Sequence, residues 1–451
     1  MSYIPQGEEE RARMLAALGL ESVEELYAVL PEEARLGRPL RLPGPLSELE
    51  LERELGGLAA RNADASKAVC FLGAGAYDRW VPAVVDAIVG RGEFLTAYTP
   101  YQPEVSQGTL QSIFEYQSMI CGLTGLEVAN ASLYDGASAL GEALLMAANV
   151  TGRERFLLPS TLHPFYRDVA EAYARGPRLR LETLPEEGGR IAAGAVSQVD
   201  ETVAAVVVQQ PNFLGLIEDP RPLVEAAHAG GALAVLVVDP VSLGLLASPG
   251  ELGADIAVGE GQPLGSHLNF GGPYLGFLAA RERYVRRMPG RIAGQTRDVD
   301  GRVGYVLTLQ AREQHIRRER ATSNVCTNEA LVALAASVYL ATLGTRGLGE
   351  VARQSALKAR YLAAELGRLP GVRLAFDGPF FDEFVVELPQ EAEAVSEAML
   401  DRGFLAGLPL GRFRPGWERR LLVAVTEKRS REELDGYVRA LGEVLAAWAS
   451  R

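Results

Sequence analysis

The sequence predicts an α/β fold built on a mostly parallel sheet and followed by a smaller α+β region, and three observations carry that reading. Ala204–Val208 and Ala232–Val238 are uninterrupted apolar runs, as expected of strands covered on both faces. Between them Pro222–His228 reads as a helix, the crossover that a parallel pair requires. From about residue 66 to 330, glycine-rich turns alternate with short apolar runs and helical stretches, the rhythm of a sheet with helices on its faces.

Taken in order, residues 1–65 read as a helical arm. Glu8–Leu18 has an acidic start and helical apolar spacing, Ser22 with Glu25 resembles a capping box, and the proline-rich stretch Arg38–Pro45 breaks the pattern. The arm is too short for a core of its own and is expected to pack on another domain or another chain. Residues 66–330 form the large domain. Beyond its two buried strands, Ile256–Val258 and Tyr274–Ala279 are expected as a further strand pair around a glycine-rich loop. After Asn328 a long helical stretch passes Leu340 and opens residues 331–451, the small C-terminal α+β domain. There Leu357–Leu366 and Arg431–Trp448 have helical periodicity, and Phe384–Leu388 and Leu421–Val425 read as strands.

Composition narrows the function classes. Of 451 residues 48% are hydrophobic and 23% charged, an ordinary globular balance. Asp and Glu outnumber Lys and Arg by 58 to 45, which argues against a nucleic acid or a membrane surface as partner. The three cysteines, Cys70, Cys121 and Cys326, are far apart and suit a reducing cytoplasm rather than a disulfide or zinc framework. No basic, apolar leader opens the chain. The most apolar stretch, Ala232–Ala247, is interrupted by Asp239 and Pro240 and falls short of the roughly 20 residues of a membrane span. His163, His228, His267 and His315 lack metal-ligand spacing, so no metal is expected. Ser132, Ser138 and Ser266 lie in no nucleophile elbow. Gly73–Asp78 resembles a dinucleotide fingerprint but lacks its third glycine, and a plain turn is the favoured reading.

From Tyr134 onward the order of features follows a pyridoxal phosphate (PLP) site of aminotransferase type. In Tyr134–Ala143 small residues lead into a helix whose N-terminus can cradle an anion. Asn212, after a buried strand, is placed to reach a ring substituent or to form a simple turn. Asp239 closes the second buried strand at the edge where ligands sit in open α/β sheets, where an Asp pairs with the pyridinium nitrogen. The lysine that holds the cofactor as a Schiff base should follow within a few tens of residues, and Gly253–His267 contains none. The chain has only Lys67, Lys358 and Lys428, all distant in sequence, and a surface role is the favoured reading of each. The fold class is thus aminotransferase-like (PLP fold type I), in a chain that cannot form the usual Schiff base by itself.

Phe71–Asp78, Tyr98–Gly108, Tyr134–Gly136, Phe270–Gly276 and Gln314–Asn328 together resemble the P-protein family of the glycine cleavage system, in the first subunit of its two-chain form, over nearly the whole length. The resemblance implies a homologous second subunit that carries the PLP lysine, and a heterotetramer with two of each chain. It implies that the complex decarboxylates glycine, releases carbon dioxide and passes the aminomethyl group to the lipoyl arm of H-protein. With the active site at a subunit interface, a lysine-free chain can still lend residues to its partner. On chemistry, Tyr98 and Tyr101 offer a stacking face and a hydroxyl, and Glu104 and Gln107 can orient substrate. The alternative for these four is a packed loop. Arg312, Arg317 and Arg318 can neutralise a carboxylate or phosphate, with a solvated helix face as the alternative for at least two of them. Thr322, assisted by Asn324, is the preferred contact to the phosphate of the partner's PLP. Two other readings stand beside this one: a purely structural or regulatory scaffold, and a self-sufficient PLP enzyme using one of the three lysines.

Overall fold

The structure, a computed structural model, describes residues 6–449. By contact the chain divides into two units, residues 1–63 and 64–451. Among the described residues the first holds two α-helices, Glu8–Leu18 and Glu48–Ala59, and neither buries a residue. Glu25 accepts from the Ser22 backbone N–H at 3.1 Å, the half of the expected capping box that secures a short 3₁₀ turn at Val23–Tyr27. A second box closes at Ser47, whose N–H reaches Glu50 at 2.9 Å. Leu49, Leu51, Leu55 and Leu58 stay exposed on the second helix.

The second unit centres on a seven-stranded sheet. In chain order its strands are β1 (Val128–Ala129), β2 (Arg155–Pro159), β3 (Arg180–Leu184), β4 (Val203–Gln210), β5 (Leu233–Val238), β6 (Ile256–Glu260) and β7 (Gly276–Ala280), arranged β1-β7-β6-β5-β4-β2-β3. The five strands from β6 to β3 are parallel neighbours, and β7 runs antiparallel to both β6 and β1. Every residue of β5 is buried, as its unbroken apolar run requires. Helices cover both faces, among them α1 (Gln107–Thr124), α2 (Gly136–Thr151), α3 (Pro164–Arg175) and α4 (Arg221–Ala229). The predicted 274–279 strand begins two residues later, past Pro273 and the loop before it.

A hairpin of β8 (Ile292–Arg297) and β9 (Val303–Thr308), not anticipated from the sequence, packs against α1 through Ala293 and Leu307. Helix α5 (Ala330–Leu366) is kinked at Gly344, where φ is +58°. By length and composition α5 could cross a membrane, and its Ala333, Ala336 and Tyr339 pack into the core beside β5 and β6. The antiparallel sheet β10 (Arg373–Leu374), β11 (Glu383–Glu387), β12 (Leu408–Pro409) and β13 (Arg420–Ala424), in the order β10-β11-β13-β12, packs with α6 (Ala392–Leu400) and α7 (Arg431–Ala449) around a third core cluster. Val69–Cys70 pairs in parallel with Phe404–Leu405, and Phe71 is buried in that same cluster, so residues 69–71 pack with the C-terminal sheet although they precede the large one.

Candidate functional site

At the carboxyl ends of β4, β5 and β6 lies the crevice where an open α/β sheet binds its ligand. Its walls are Gln209, Phe213, Asp239, Glu260 and Pro263 from the sheet edge, His163 and Tyr166 from the start of α3, Ala74, Gly75 and Tyr77 from a turn, and Asp382 and Glu383 from the edge of β11. The space left is about 40 Å³. That holds a few waters, whereas organic cofactors occupy pockets of roughly 300–1,000 Å³.

The chain's own side chains close it. At the N-terminus of α2, Asp135 accepts from Ser138 N–H at 2.7 Å and Glu260 accepts from Gly136 N–H at 3.0 Å. The second Glu260 oxygen takes N–H groups from Gln262 and Leu275, both at 2.9 Å. The expected phosphate cradle is therefore already filled by carboxylates, which a helix N-terminus favours as it would a phosphate. A Cβ on Gly136 would lie 1.9 Å from the Tyr166 hydroxyl, which shows how closely α3 presses on this end. Asn212, considered for a cofactor contact, donates instead to Gly189 O and Glu218, both at 2.8 Å, and accepts from Leu214 and Leu216 N–H, so the turn alternative is the observed one. The Gly73–Asp78 segment is more than a plain turn. Ala74, at φ +60°, and Gly75, at φ +100°, fold it over the crevice, where Glu383 accepts from Ala74 N–H at 2.6 Å and from the Tyr77 hydroxyl at 3.0 Å. Gly73 permits that approach, since a Cβ there would lie 2.2 Å from Glu383 Oε1.

Four carboxylates line this space, Asp239, Glu260, Asp382 and Glu383, and one buried arginine serves two of them together with Glu427. Arg79 lies 2.5 Å from Asp382, 2.8 Å from Glu427 and 3.9 Å from Asp239. Burial pushes Asp239 and Asp382 above the usual carboxylate range, against the opposing pull of Arg79. It lifts Glu260 and Glu383 to about 7. None of the lysines lines the crevice: Lys428 pairs with Asp78 at 2.6 Å, Lys358 donates to Glu427 O, and Lys67 is 3.5 Å from Asp64. The residues present do not fit PLP: space, amine and anion cradle are all missing.

The raised carboxyls give a testable pH dependence. A group whose pKa is higher folded than unfolded binds more protons in the folded state, so stability is greatest below the unfolded value near 4.5 and falls as pH rises to about 7. In Glu383→Gln the amide oxygen still accepts from Ala74 and the amide nitrogen donates to Tyr77. That variant should be more stable than the parent by roughly 1–3 kcal/mol at pH 8 and show a smaller loss between pH 5 and 7 in urea unfolding. An unchanged pH profile would contradict a buried, ionising Glu383.

A second cleft, of about 260 Å³, is lined by Tyr98, one of the residues read from the sequence as partner-facing. Tyr98 and Thr99 form one side, Thr327, Asn328 and the first turn of α5 another, and Arg291 lies within. Tyr98 is 90% exposed. The Tyr101 hydroxyl accepts from Arg291 Nη2 at 3.1 Å, and its ring meets His315 edge-on at 6.2 Å. Glu104, Arg317, Arg318 and Asn324 are exposed and Thr322 is half-buried. One expected role does not survive. Gln107 uses its whole amide on backbone, donating to Pro103 O at 2.7 Å and Tyr305 O at 2.9 Å and accepting from Tyr305 N–H at 2.9 Å, so it pins β9 rather than orienting a ligand. Arg312 is half-buried, donates to the Met288 carbonyl and lies outside the lining of this cleft, and among the described residues its Nε and Nη2 have no hydrogen-bond partner. Arg291 was not anticipated, because one arginine among 42 carries no motif of its own.

Comparison with known proteins matches this architecture. The family described as glycine cleavage system P-protein matches residues 1–441. A protein of Moorella thermoacetica named probable glycine dehydrogenase (decarboxylating) subunit 1 is 55% identical over 99% of this chain and all of its own length. One of the same name from Desulfitobacterium hafniense is 52% identical over 98% of this chain and all of its own. A crystal structure titled glycine decarboxylase (P-protein) of the glycine cleavage system, in inhibitor-bound form, superposes with a TM-score of 0.92 at 52% identity, covering 99% of this chain and all of that one. A sphingosine-1-phosphate lyase of Burkholderia pseudomallei shares the fold alone, at TM-score 0.67 and 17% identity over 94% of this chain and 97% of its own. The fold is the expected aminotransferase-like one. On sequence and structure together, the chain belongs to the glycine cleavage system P-protein family.

Proposed function

We propose that this chain is the cofactor-free subunit of a two-chain glycine dehydrogenase (decarboxylating), and that it completes the active site of a PLP-bearing second subunit. The family uses PLP, which when bound supplies an electron sink for the carbanion left as carbon dioxide departs. The single observation that supports assigning it to the partner is the crevice closed by Glu260, Glu383 and Tyr166 with no lysine in it. This chain's contribution is then to position and to exclude water. Tyr98 projects from its surface, Tyr101 is oriented by Arg291, Glu104 and Asn324 are exposed and Thr322 is half-buried. The exposed leucines of the N-terminal helix Glu48–Ala59 offer apolar surface to an assembly. The reading extends to a cytoplasmic heterotetramer with two of each chain and to a lipoylated H-protein that accepts the aminomethyl group.

Because Tyr98 is 90% exposed, Tyr98→Ala tests the shared site without disturbing the fold. Reconstituted with the second subunit, the variant should assemble normally in sedimentation and lose roughly tenfold or more in kcat/KM for glycine decarboxylation, about 1.4 kcal/mol of transition-state stabilisation. Normal assembly with unchanged kcat/KM would favour the scaffold alternative.

A further inference from the structure

We propose that the cleft beneath Tyr98 is an anion site anchored by Arg291, taking a small carboxylate or phosphate group. Arg291 is only 5% exposed, yet its partners are neutral: the Tyr101 hydroxyl at 3.1 Å and Asn328 Oδ1 at 3.4 Å. Among the described residues its Nε has no hydrogen-bond partner and no carboxylate forms an ion pair with it. The buried Glu313 carboxylate acts on it electrostatically from beyond ion-pair distance; a guanidinium withdrawn from water with no direct ion-pair partner is left incompletely compensated, and a planar anion meets its fork geometry.

A second, independent feature points into the same space. Ala330 and Leu331, the first residues of α5, line the cleft, and no side chain caps this helix end. Its leading N–H groups have no intrahelical acceptor and carry the positive end of the helix dipole. Glu329 stands at that end too, and burial pushes its carboxyl up, towards the neutral form. The hydroxyls of Thr99, Thr109 and Ser112 complete the polar lining, against apolar walls from Phe94 and Leu334. A site of 260 Å³ with a buried cation and a helix N-terminus suits a small anionic group with a short body. Only the source of that anion rests on the proposed function: the carboxylate of an amino-acid substrate or the phosphate of a cofactor, offered across an interface.

The test begins with the isolated full chain, titrated calorimetrically with inorganic phosphate and with acetate. Arg291→Gln removes the anchor. Ala330→Glu keeps Arg291 and places an internal carboxylate in the cleft, at a helix position that favours acid. The parent chain should saturate with at least one of the two anions, and both variants should bind it roughly tenfold or more weakly. No saturation of the parent, or equal binding by all three proteins, overturns the proposal. In the complex with the second subunit, Arg291→Gln separates the sources: a higher KM for glycine at saturating PLP assigns the substrate carboxylate, and a higher half-saturating PLP concentration with KM unchanged assigns the phosphate. Neither change would contradict a role at the shared site. Since the calorimetry needs no partner, loss of the anion site and loss of the subunit reading are told apart.

Discussion

Replacing Arg79 with methionine should cost the chain about 3–5 kcal/mol of stability at pH 7.5, the typical penalty for removing one member of a buried charge cluster. The guanidinium is buried and bonded to Asp382 at 2.5 Å, Glu427 at 2.8 Å and Ser355 at 3.1 Å, with Asp239 at 3.9 Å. Without it, carboxylates already pushed up by burial lose the one cation that offsets their desolvation. Their folded-state pKa values rise further, so the folded variant gains protons that the unfolded chain does not bind. Stability should therefore recover in part between pH 7.5 and 5.5. Guanidinium unfolding at both pH values checks this. A loss under about 1 kcal/mol would show that the cluster does not hold the crevice shut.

Gly215→Ala should be nearly as severe. Gly215 has φ +82°, and a Cβ on it would lie 2.0 Å from the backbone oxygen of Glu383, where the loop after β4 crosses the start of β11. Left-handed strain of roughly 1–2 kcal/mol adds to an overpacking penalty of roughly 1–3 kcal/mol. Gly188→Ala is the control: φ is +61° and nothing lies within 4 Å of the added methyl, so only the conformational part remains. Thermal unfolding should rank Gly215→Ala well below Gly188→Ala. Equal losses would mean that the Glu383 contact yields freely.

The strands that position the crevice were legible because burial on both faces writes itself as an apolar run: Ala204–Val208 lies inside β4 and Ala232–Val238 covers β5. Asp239 and the lysine-free segment after β6 could be read for the same reason, since both are fixed by their distance from a strand end. What closes the crevice could not. Glu383 reaches Ala74 across 309 positions and Arg79 reaches Asp382 across 303, and no local pattern encodes such pairs. Gln107 looked available for the same reason: the backbone it serves, at Tyr305, is 198 residues away. The hairpin Ile292–Thr308 has too few apolar residues in strict alternation to announce itself, and its partner surface on α1 decides its fold. Arg291 could be singled out only from its surroundings, a buried cation whose hydrogen-bond partners, Tyr101 and Asn328, are both neutral.

The central claim is that this chain binds no PLP covalently and works through a partner that does. The purified chain, alone and mixed with the second subunit, is incubated with PLP, reduced with borohydride and digested for mass spectrometry. The account predicts no pyridoxyl group on Lys67, Lys358 or Lys428 in either sample, and a stoichiometric one on a lysine of the second subunit in the mixture. A stoichiometric adduct on any of this chain's three lysines would contradict it and make the chain a PLP enzyme in its own right.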